Sequence, residues 1–358
     1  MKKKVLISTG GSGGHVIPAT IFYEHLKKEF DVFLTTDKRG SKFLNLDKYS
    51  ITLINTPKLT TNLFLLPVKL FFIVFLIIKS LIFFKINKID ILISTGGYMS
   101  LPLCVAAKIF NVKIYLFEPN MIVGRANSIF LKYSKKIFCY SKEILNFPKK
   151  YVDKILLINP LLRREFYSSK VNEKSEINNE IKLLIIGGSQ GAKLFETEFK
   201  NSIVDISKRY KISIYHQMGS ENKKDLEDFY NQNNISYQLF TFEENPLKFI
   251  CNSNLCITRA GSSTLSELTF LNIPYLAIPY PLAKDDHQLQ NALYYKKKNC
   301  CWLLKQKDLK SEVLTDILIN IIENKEDYSA KKNSMKKFSY QITWNKINEK
   351  LINTINEN

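Results

Sequence analysis

Short apolar runs typical of strands alternate with stretches of helical periodicity in both halves of the chain. Four strands are predicted in the first half: Lys4–Ser8, Asp31–Thr35, Ile51–Ile54 and Ile89–Ser94. Four more are predicted in the second half: Lys182–Ile186, Ile212–Tyr215, Leu255–Thr258 and Tyr275–Ile278. A helix is predicted over Val16–Phe30. This alternation predicts parallel sheets with helices on both faces, and the glycine-led restarts at Gly10 and Gly187 predict two such sheets.

A polar stretch, Ser168–Glu180, separates the two series of elements and is typical of a loop or a domain linker. At 358 residues the chain is longer than a single hydrophobic core usually accommodates, so two domains are expected. We predict an α/β protein with one domain at 1–160 and a second at 161–334. A final helix is predicted at about 330–358, and its part from about residue 335 is a candidate for packing back on the first domain.

The segment Leu63–Phe84 is long enough for a membrane span, but Pro67, Lys69 and Lys79 interrupt it. At about 100° per residue, four polar residues fall on one narrow stripe of the predicted helix: Asn62, Lys69, Ser80 and Asn87. Three interpretations compete: a spanning helix, a buried core helix, and a helix packed on one side with lipid contact on the other. The third fits best, because Lys69, Lys79 and Lys85 are suited to anionic head groups.

The balance of charge is strongly basic, with 52 Lys and Arg against 33 Asp and Glu and a formal net charge of +19. This favours anionic partners such as a membrane surface, although a general enrichment in lysine explains it as well. No arginine-rich run marks a nucleic-acid face, so no nucleic-acid partner is expected. The apolar run after the N-terminal lysines is too short for export, and the six cysteines lack disulfide or zinc spacing. We therefore expect a cytoplasmic protein.

Glycine-rich loops follow three of the predicted strands. The first, Thr9–His15, ends at a histidine that can accept a proton near neutral pH, or simply cap the next helix. The second and third, Ser94–Pro102 and Gly187–Gly191, are suited to close approach of a ligand but are also compatible with ordinary turns. In the third, Ser189 is placed to hydrogen-bond a phosphate.

The segment Thr258–Glu267 is the most informative, because a strand leads through a glycine into a helix opened by small hydroxyl residues. Such a helix N-terminus suits a diphosphate. One turn further, Glu267 is placed either to accept two ribose hydroxyls or only to complement the helix dipole. In a fifth segment, Asp285–Asn291, the amide of Gln288 suits sugar hydroxyls. No D-x-D triplet occurs, so chemistry without a metal or a cofactor is expected.

Together these segments resemble the MurG family, the N-acetylglucosaminyltransferases that complete the lipid-linked peptidoglycan precursor. Five segments carry the resemblance, in order and at compatible spacings: G-G-S-G-G-H at 10–15, G-G-Y-M-S at 96–100, G-G-S-Q-G at 187–191, H-Q-M-G at 216–219 and R-A-G-S-S-T-L-S-E at 259–267. The resemblance implies a GT-B fold of two Rossmann-like, doubly wound domains with an interdomain cleft. The first domain would associate with the membrane and the acceptor, and the second would bind the UDP-sugar.

The resemblance also implies the reaction and its partners. N-acetylglucosamine would pass, with inversion, from UDP-N-acetylglucosamine to the muramoyl 4-hydroxyl of an undecaprenyl-diphosphate-linked muramoyl peptide. The enzyme would act peripherally at the cytoplasmic face of the plasma membrane, against an anionic membrane surface.

The matched motifs imply site residues. His15 is the implied general base. Substrate contacts are implied at Ser12, Gly13, Gly14, Tyr98, Asn120, Arg163, Ser189, Glu243, Ser262, Ser263, Thr264, Leu265, Ser266, Glu267 and Gln288. Among these, Ser189 matches a serine that contacts phosphate, Gln288 a glutamine that contacts the sugar, and Glu243 a position whose backbone meets the uracil.

Three departures from the family pattern affect these assignments. The chain has Phe117–Asn120, reading F-E-P-N, where the family has H-E-Q-N, and it has Leu101 where a glycine is typical. Leu162 stands at the position of the family arginine after Asn-Pro, so either Arg163 or Arg164 must supply that phosphate contact.

Three other functions compete. A related GT-B enzyme is the first, either another lipid-directed glycosyltransferase or a UDP-N-acetylglucosamine 2-epimerase, and the apolar segment disfavours the epimerase because its substrate is soluble. A nicotinamide-dependent oxidoreductase is the second, and it requires an acid near the end of the second strand, where Asp37 is only loosely placed. A non-catalytic membrane-surface module is the third, and it leaves five ligand-type loops unexplained.

Overall fold

The computed structural model describes residues 2–45, 47–49, 51–56, 66–169, 177, 180–188, 193–241, 245–339 and 342–357. These residues form two compact units. The first contains Met1–Leu162 together with Thr343–Asn358, and the second contains Arg163–Ile342. The assignment of acceptor binding to one unit and of donor binding to the other stays a prediction.

The first unit is built on a sheet of parallel strands. In chain order its described strands are β1 (Lys4–Ser8), β2 (Asp31–Thr36), β3 (Ile51–Leu53), β4 (Ile91–Ser94), β5 (Lys113–Glu118), β6 (Ser134–Cys139) and β7 (Ile155–Leu157). Their spatial order is β3-β2-β1-β4-β5-β6-β7. Its helices are α1 (Gly13–Leu26), α2 (Leu66–Asn87), α3 (Ser100–Ile109) and α4 (Arg125–Phe130). Strand order therefore reverses between β1 and β4, as in doubly wound folds.

The second unit repeats the same plan. Its described strands are β8 (Ile181–Ile186), β9 (Ile212–Gln217), β10 (Ser236–Phe240), β11 (Leu255–Thr258), β12 (Tyr275–Ala277) and β13 (Cys301–Leu303), in the spatial order β10-β9-β8-β11-β12-β13. Its helices are α5 (Arg164–Ser168), α6 (Lys193–Glu198), α7 (Lys200–Ser207), α8 (Lys223–Gln232), α9 (Leu247–Cys251), α10 (Ser262–Phe270), α11 (His287–Lys297), α12 (Ser311–Glu323) and α13 (Lys325–Ser339). Here the reversal lies between β8 and β11.

The central strands are apolar along nearly their whole length because helices cover both faces of each sheet. All four residues of β4 are buried, and so are all four of β11. Alternating apolar and polar strands would instead be expected of a sheet with one face in water. The prediction of two parallel α/β sheets is confirmed, and the predicted bounds of the strands at Lys4–Ser8 and Leu255–Thr258 match the structure.

The prediction of one final helix at about 330–358 is wrong. Helix α13 ends at Ser339, and a separate helix, α14 (Trp344–Asn356), follows it. The Thr343 side chain caps α14 by accepting a hydrogen bond from the N–H of Lys346, at 3.3 Å. A hydroxyl residue in this position favours the start of a helix. Helix α14 packs on α1 in the first unit, where Trp344 stacks on the His25 ring with centroids 3.6 Å apart.

Helix α2 carries its polar stripe toward the protein. Ser80 is fully buried, and Lys69 and Asn87 are half-buried, on the side of the helix that also buries Leu76 and Phe84. The wide apolar side is exposed, most strongly at Phe71 and Ile86, which are 73% and 72% exposed. Asn62 and residues 63–65 lie outside the described residues. The interpretation of this segment as a buried core helix is therefore wrong, since one side alone is covered.

Candidate active site

The carboxyl ends of parallel strands meet at one edge of a sheet, and ligands bind there where strand order reverses. In the first unit the glycine loop at 9–14 follows β1, and the loop at 95–99 follows its neighbour β4. In the second unit the glycines at 187–188 follow β8, and the turn at 259–261 follows β11. The predicted loops thus lie in pairs at the reversal point of each sheet.

Asp37, at the end of β2, holds the first glycine loop in place. Its Oδ1 accepts hydrogen bonds from the backbone N–H groups of Gly11, at 2.9 Å, and of Gly40, at 2.8 Å. Its Oδ2 accepts from the Arg39 guanidinium at 2.7 and 2.9 Å. Burial raises the pKa of the Asp37 carboxyl, but these donors outweigh burial and hold it below its ordinary value. Both carboxylate oxygens are therefore engaged in the loop itself.

His15 lies in the first turn of α1, with its ring against the loop that follows β4. The Nδ1 atom lies 2.6 Å from the carbonyl oxygen of Thr95. Because a carbonyl oxygen only accepts hydrogen bonds, Nδ1 of the ring is the donor in this contact. The ring is half-buried, and α1 begins at Gly13, three residues earlier than predicted. This hydrogen bond restrains the orientation of the His15 ring and favours the tautomer protonated at Nδ1.

Gly96 shapes the loop that supports His15. Its φ is +92°, and a Cβ at this position would lie 3.3 Å from Cε1 of the His15 ring. Thr95 is itself fixed, since its backbone N–H donates to the Ser8 carbonyl at the end of β1, at 3.0 Å. The second glycine loop therefore does more than approach a ligand, because it also sets the position of the ring.

Glu118, at the end of β5, organises the segment that contains Asn120. Its Oε1 accepts from the backbone and side-chain nitrogens of Asn120, at 3.3 and 3.1 Å. Its Oε2 accepts from the Gly124 N–H at 2.7 Å and from Nδ2 of Asn127 at 3.0 Å. Burial raises the pKa of the Glu118 carboxyl, and the donated hydrogen bonds oppose that shift. The departure at Pro119 leaves this network intact.

In the second unit, the Gln217 side chain forms hydrogen bonds with the loop after β8. Its Oε1 accepts from the Gly187 N–H at 2.9 Å, and its Nε2 donates to the Gly188 carbonyl at 3.0 Å. The matched H-Q-M-G segment therefore supports the glycine loop from the neighbouring strand. Ser189, predicted to contact phosphate, and Glu243, predicted at the uracil, lie outside the described residues.

Helix α10 begins directly after the Gly261 turn, as the sequence predicts. Ser262, Ser263 and Thr264 are half-buried and form its first turn, where backbone N–H groups have no partner within the helix. The next two predicted contact residues, Leu265 and Ser266, are buried and interact with other residues of the protein. Leu265 is fully buried with its N–H bonded to the Gly261 carbonyl, and the buried hydroxyl of Ser266 lies 3.1 Å from that of Tyr295. The first three residues thus present the anion-binding end of the helix.

Gln288 ties two loops together through one atom. Its Oε1 accepts from the backbone N–H groups of Ala260, at 3.2 Å, and Tyr280, at 3.0 Å. The acceptor is therefore used by the protein, and the amide N–H₂ is the group that remains to recognise a ligand. Asp285 and Asp286, just before α11, adopt left-handed φ values of 55° and 53°.

Arg163 and Glu267 form a close ion pair. Arg163 Nη1 lies 2.6 Å from Glu267 Oε1, and the two side chains are 14% and 7% exposed. Arg164, the other arginine that the sequence offers for a phosphate contact, is exposed at the start of α5. The structure therefore gives the two arginines different surroundings.

Several supporting residues are not predictable from local sequence because they act on loops from neighbouring elements. Gln217 stands in a quoted motif with no role assigned, and Arg259 donates to the carbonyls of Ile278 and Pro279 at 3.1 and 3.3 Å. A buried polar residue at the end of a strand is the signal that marks such supports. Within the described ranges, no group of three or more His, Cys, Asp or Glu side chains is arranged to hold a metal ion.

Known proteins resemble the chain in both sequence and structure. Residues 5–139 match the model described as glycosyltransferase family 28 N-terminal domain, and residues 182–344 match the glycosyltransferase family 28 C-terminal domain. A curated protein of Pelagibacter ubique (strain HTCC1062) is 54% identical over 358 residues, with all of both chains covered. It is named UDP-N-acetylglucosamine–N-acetylmuramyl-(pentapeptide) pyrophosphoryl-undecaprenol N-acetylglucosamine transferase.

Solved structures share the fold. The chain matches the crystal structure of Acinetobacter baumannii MurG with a TM-score of 0.76 at 20% identity, covering all of both chains. It also matches a UDP-N-acetylglucosamine 2-epimerase with a TM-score of 0.65 at 14% identity, covering 98% of this chain and 95% of that one. These likenesses confirm the predicted GT-B type of fold.

The support of His15 by the loop after β4 yields a first prediction. Replacing Gly96 with alanine should displace the ring from the Thr95 carbonyl, because the new Cβ meets the ring and the positive φ disfavours any side chain. Imidazole ¹⁵N NMR should show His15 protonated at Nδ1 in the wild type and a mixture of tautomers in G96A. A G14A variant serves as the control, since an added Cβ there meets only the Ser12 hydroxyl, at 3.8 Å. An unchanged His15 spectrum in G96A would refute the coupling.

Proposed function

Because the chain belongs to the MurG family of N-acetylglucosaminyltransferases, we propose that it moves N-acetylglucosamine from UDP-N-acetylglucosamine to a lipid-linked N-acetylmuramoyl peptide. The lipid would be undecaprenyl diphosphate, as in the name of the Pelagibacter relative. The direct test is incubation of the purified chain with labelled UDP-N-acetylglucosamine and a lipid-linked muramoyl acceptor. The product should gain the mass of one N-acetylglucosamine residue, and no gain under any condition would overturn the proposal.

The observation that carries the mechanism is the hydrogen bond between the His15 ring and the Thr95 carbonyl. In the proposed reaction, Nε2 of His15 takes the proton of the acceptor hydroxyl while that oxygen attacks the anomeric carbon. The bond from this carbon to the diphosphate oxygen breaks on the opposite face, and UDP leaves with the electron pair. Attack opposite the leaving group inverts the anomeric centre.

The first turn of α10 is proposed to stabilise the departing diphosphate. Its N–H groups and the helix dipole present partial positive charge where negative charge develops. We propose the sequence-matched residues as the remaining substrate contacts: Ser12, Gly13, Gly14, Tyr98, Asn120 and Gln288, with Ser189 and Glu243 outside the described residues. Among these, Asn120 is supported by its bonds to the buried Glu118 carboxyl.

Removing the base gives a second prediction. His15→Ala should lower kcat by roughly two to four decades, since general base catalysis contributes about that much. UDP affinity should stay nearly unchanged, because the ring acts on the acceptor hydroxyl. Steady-state kinetics and UDP titration measure the two quantities separately. Normal turnover in the variant would exclude His15 as the base.

The hydrogen bonding of Gln288 gives a third prediction. Gln288→Glu keeps an oxygen that accepts from Ala260 and Tyr280 but replaces the amide donor with a second acceptor. Affinity for the UDP-sugar should fall by about tenfold or more, the effect of losing a hydrogen bond and placing a charge beside sugar hydroxyls, while affinity for UDP changes little. Equal losses for both ligands would contradict a sugar contact.

We further propose that α2 docks the enzyme on an anionic membrane surface. Exposed apolar side chains cover the side of α2 opposite α3, and Ile109, at the end of α3, is also exposed. Lys79 and Lys85 are exposed on the same helix. By length and composition alone, the helical residues Pro67–Asn87 could cross a membrane. Packing against α3 along one side favours a helix that lies in the interface instead.

The membrane proposal gives a fourth prediction. Replacing Phe71, Phe75 and Ile86 together by serine should weaken binding to anionic vesicles at least tenfold, since each buried side chain contributes about 1.5–3 kcal/mol. Leu282→Ser is a matched control on the second unit, because Leu282 is 77% exposed. Sedimentation with vesicles measures binding, and unchanged sedimentation of the triple variant would refute the proposal. If alkaline carbonate does not release the wild-type protein from membranes, α2 is instead a spanning helix.

The structure bears on the competing functions. A nicotinamide enzyme needs an acid near the end of β2 for the adenosine ribose. Asp37 is that acid, yet both of its oxygens are engaged by Gly11, Gly40 and Arg39. Titration with UDP and NADH would separate the two classes, and we expect binding of UDP alone. The epimerase alternative leaves the exposed apolar side of α2 without a use.

A further inference from the structure

The ion pair between Arg163 and Glu267 points to a role for Arg163 that differs from a phosphate contact. We infer that Arg163 is a positioning residue that holds the Glu267 carboxylate for hydrogen bonding to the ribose hydroxyls of the nucleotide. The inference rests on the proposed function, because it takes a uridine nucleotide as the ligand. Its observation is the 2.6 Å contact between Arg163 Nη1 and Glu267 Oε1, two side chains that are largely buried.

A ring contact beside the ion pair joins the same two segments of the chain. Arg163 is the residue that precedes α5, and Phe166 anchors that helix in a fully buried position. The Tyr167 ring meets the Phe270 ring edge-on, with centroids 5.3 Å apart. Tyr167 lies four residues after Arg163, and Phe270 lies three residues after Glu267, so both contacts join the start of α5 to α10. The arginine is therefore held by the fold in a defined place.

A buried carboxylate needs such a partner. Burial raises the pKa of the Glu267 carboxyl above its ordinary value, and the charge and hydrogen bond of Arg163 oppose that rise. In its ionised form the carboxylate offers about four acceptor positions, and the guanidinium occupies one of them. Oε2 has no hydrogen bond from another residue in the described part of the chain, which leaves it available for hydroxyl groups. A protonated Glu267 would offer a donor in place of that acceptor.

The same geometry argues against Arg163 as a phosphate ligand. A guanidinium 2.6 Å from a carboxylate forms a pair without net charge, so its attraction for a further anion is reduced. Glu267 lies five residues after Ser262, about 7.5 Å along the axis of α10 from the end suited to a diphosphate. This separation is of the order of that between a diphosphate and the ribose hydroxyls of the same nucleotide. Arg164 is exposed and takes no part in the ion pair with Glu267.

The test compares variants against three probes: UDP, 2′-deoxy-UDP and uridine. Arg163→Met should weaken UDP and uridine by the same factor, about tenfold, because the lost interaction concerns the ribose. The preference for UDP over 2′-deoxy-UDP should fall toward that of Glu267→Gln. The double variant R163M/E267Q should bind UDP no more weakly than E267Q alone, since the two residues act as one unit. Arg164→Met removes the same charge from the next residue and should leave the preference unchanged.

The outcomes separate the possible roles. If R163M weakens UDP but not uridine, Arg163 contacts phosphate and the inference is overturned. An unchanged preference for the 2′-hydroxyl in R163M overturns it as well. Thermal unfolding checks the fold of each variant, and Arg163→Lys, which keeps the charge with a single ammonium, should retain most of the preference even where R163M does not fold. Failure of the wild-type chain to bind UDP would overturn the proposed function itself, whereas failure of the inference appears only in the variants.

Discussion

The parallel arrangement of β1 and β4 is the constraint from which the candidate base follows. The two strands end side by side, so the loop after β4 brings the Thr95 carbonyl to the first turn of α1. That carbonyl determines which nitrogen of His15 carries the proton. Local structure alone could not bring the ring to this carbonyl, because 80 positions separate His15 from Thr95.

Each glycine loop is held by a polar side chain from another element. Asp37 holds the first loop from β2, Gln217 holds the loop after β8 from β9, and Gln288 holds the turn before α10 from α11. In every case a side-chain oxygen accepts backbone N–H groups that a tight turn leaves without partners. Hydrogen bonds of this kind stabilise the folded state by only about 1 kcal/mol each, but a buried N–H without a partner costs more. Loops that approach a ligand closely therefore depend on supports lying behind them.

The sequence predicted the fold well because its signals are local. Continuous apolar runs identified buried parallel strands, and glycines after them identified the loops at the reversal points. It predicted less of the site, since the roles of Asp37 and Gln217 come from hydrogen bonds across strands. The ion pair of Arg163 joins residues 104 positions apart, so the choice between Arg163 and Arg164 could not be made from spacing. The break before α14 was missed although Thr343 is a recognisable capping residue.

Helix α2 buries a narrow stripe that includes Leu76, Ser80 and Phe84, and it leaves a wide apolar side exposed to its surroundings. A substitution that makes the outer side more polar would ordinarily improve the solubility of a protein. Here the same change would remove the feature proposed to bring the enzyme to a lipid that does not diffuse through water. Solubility in water therefore favours a more polar outer side of α2, whereas access to a substrate confined to a membrane favours an apolar one.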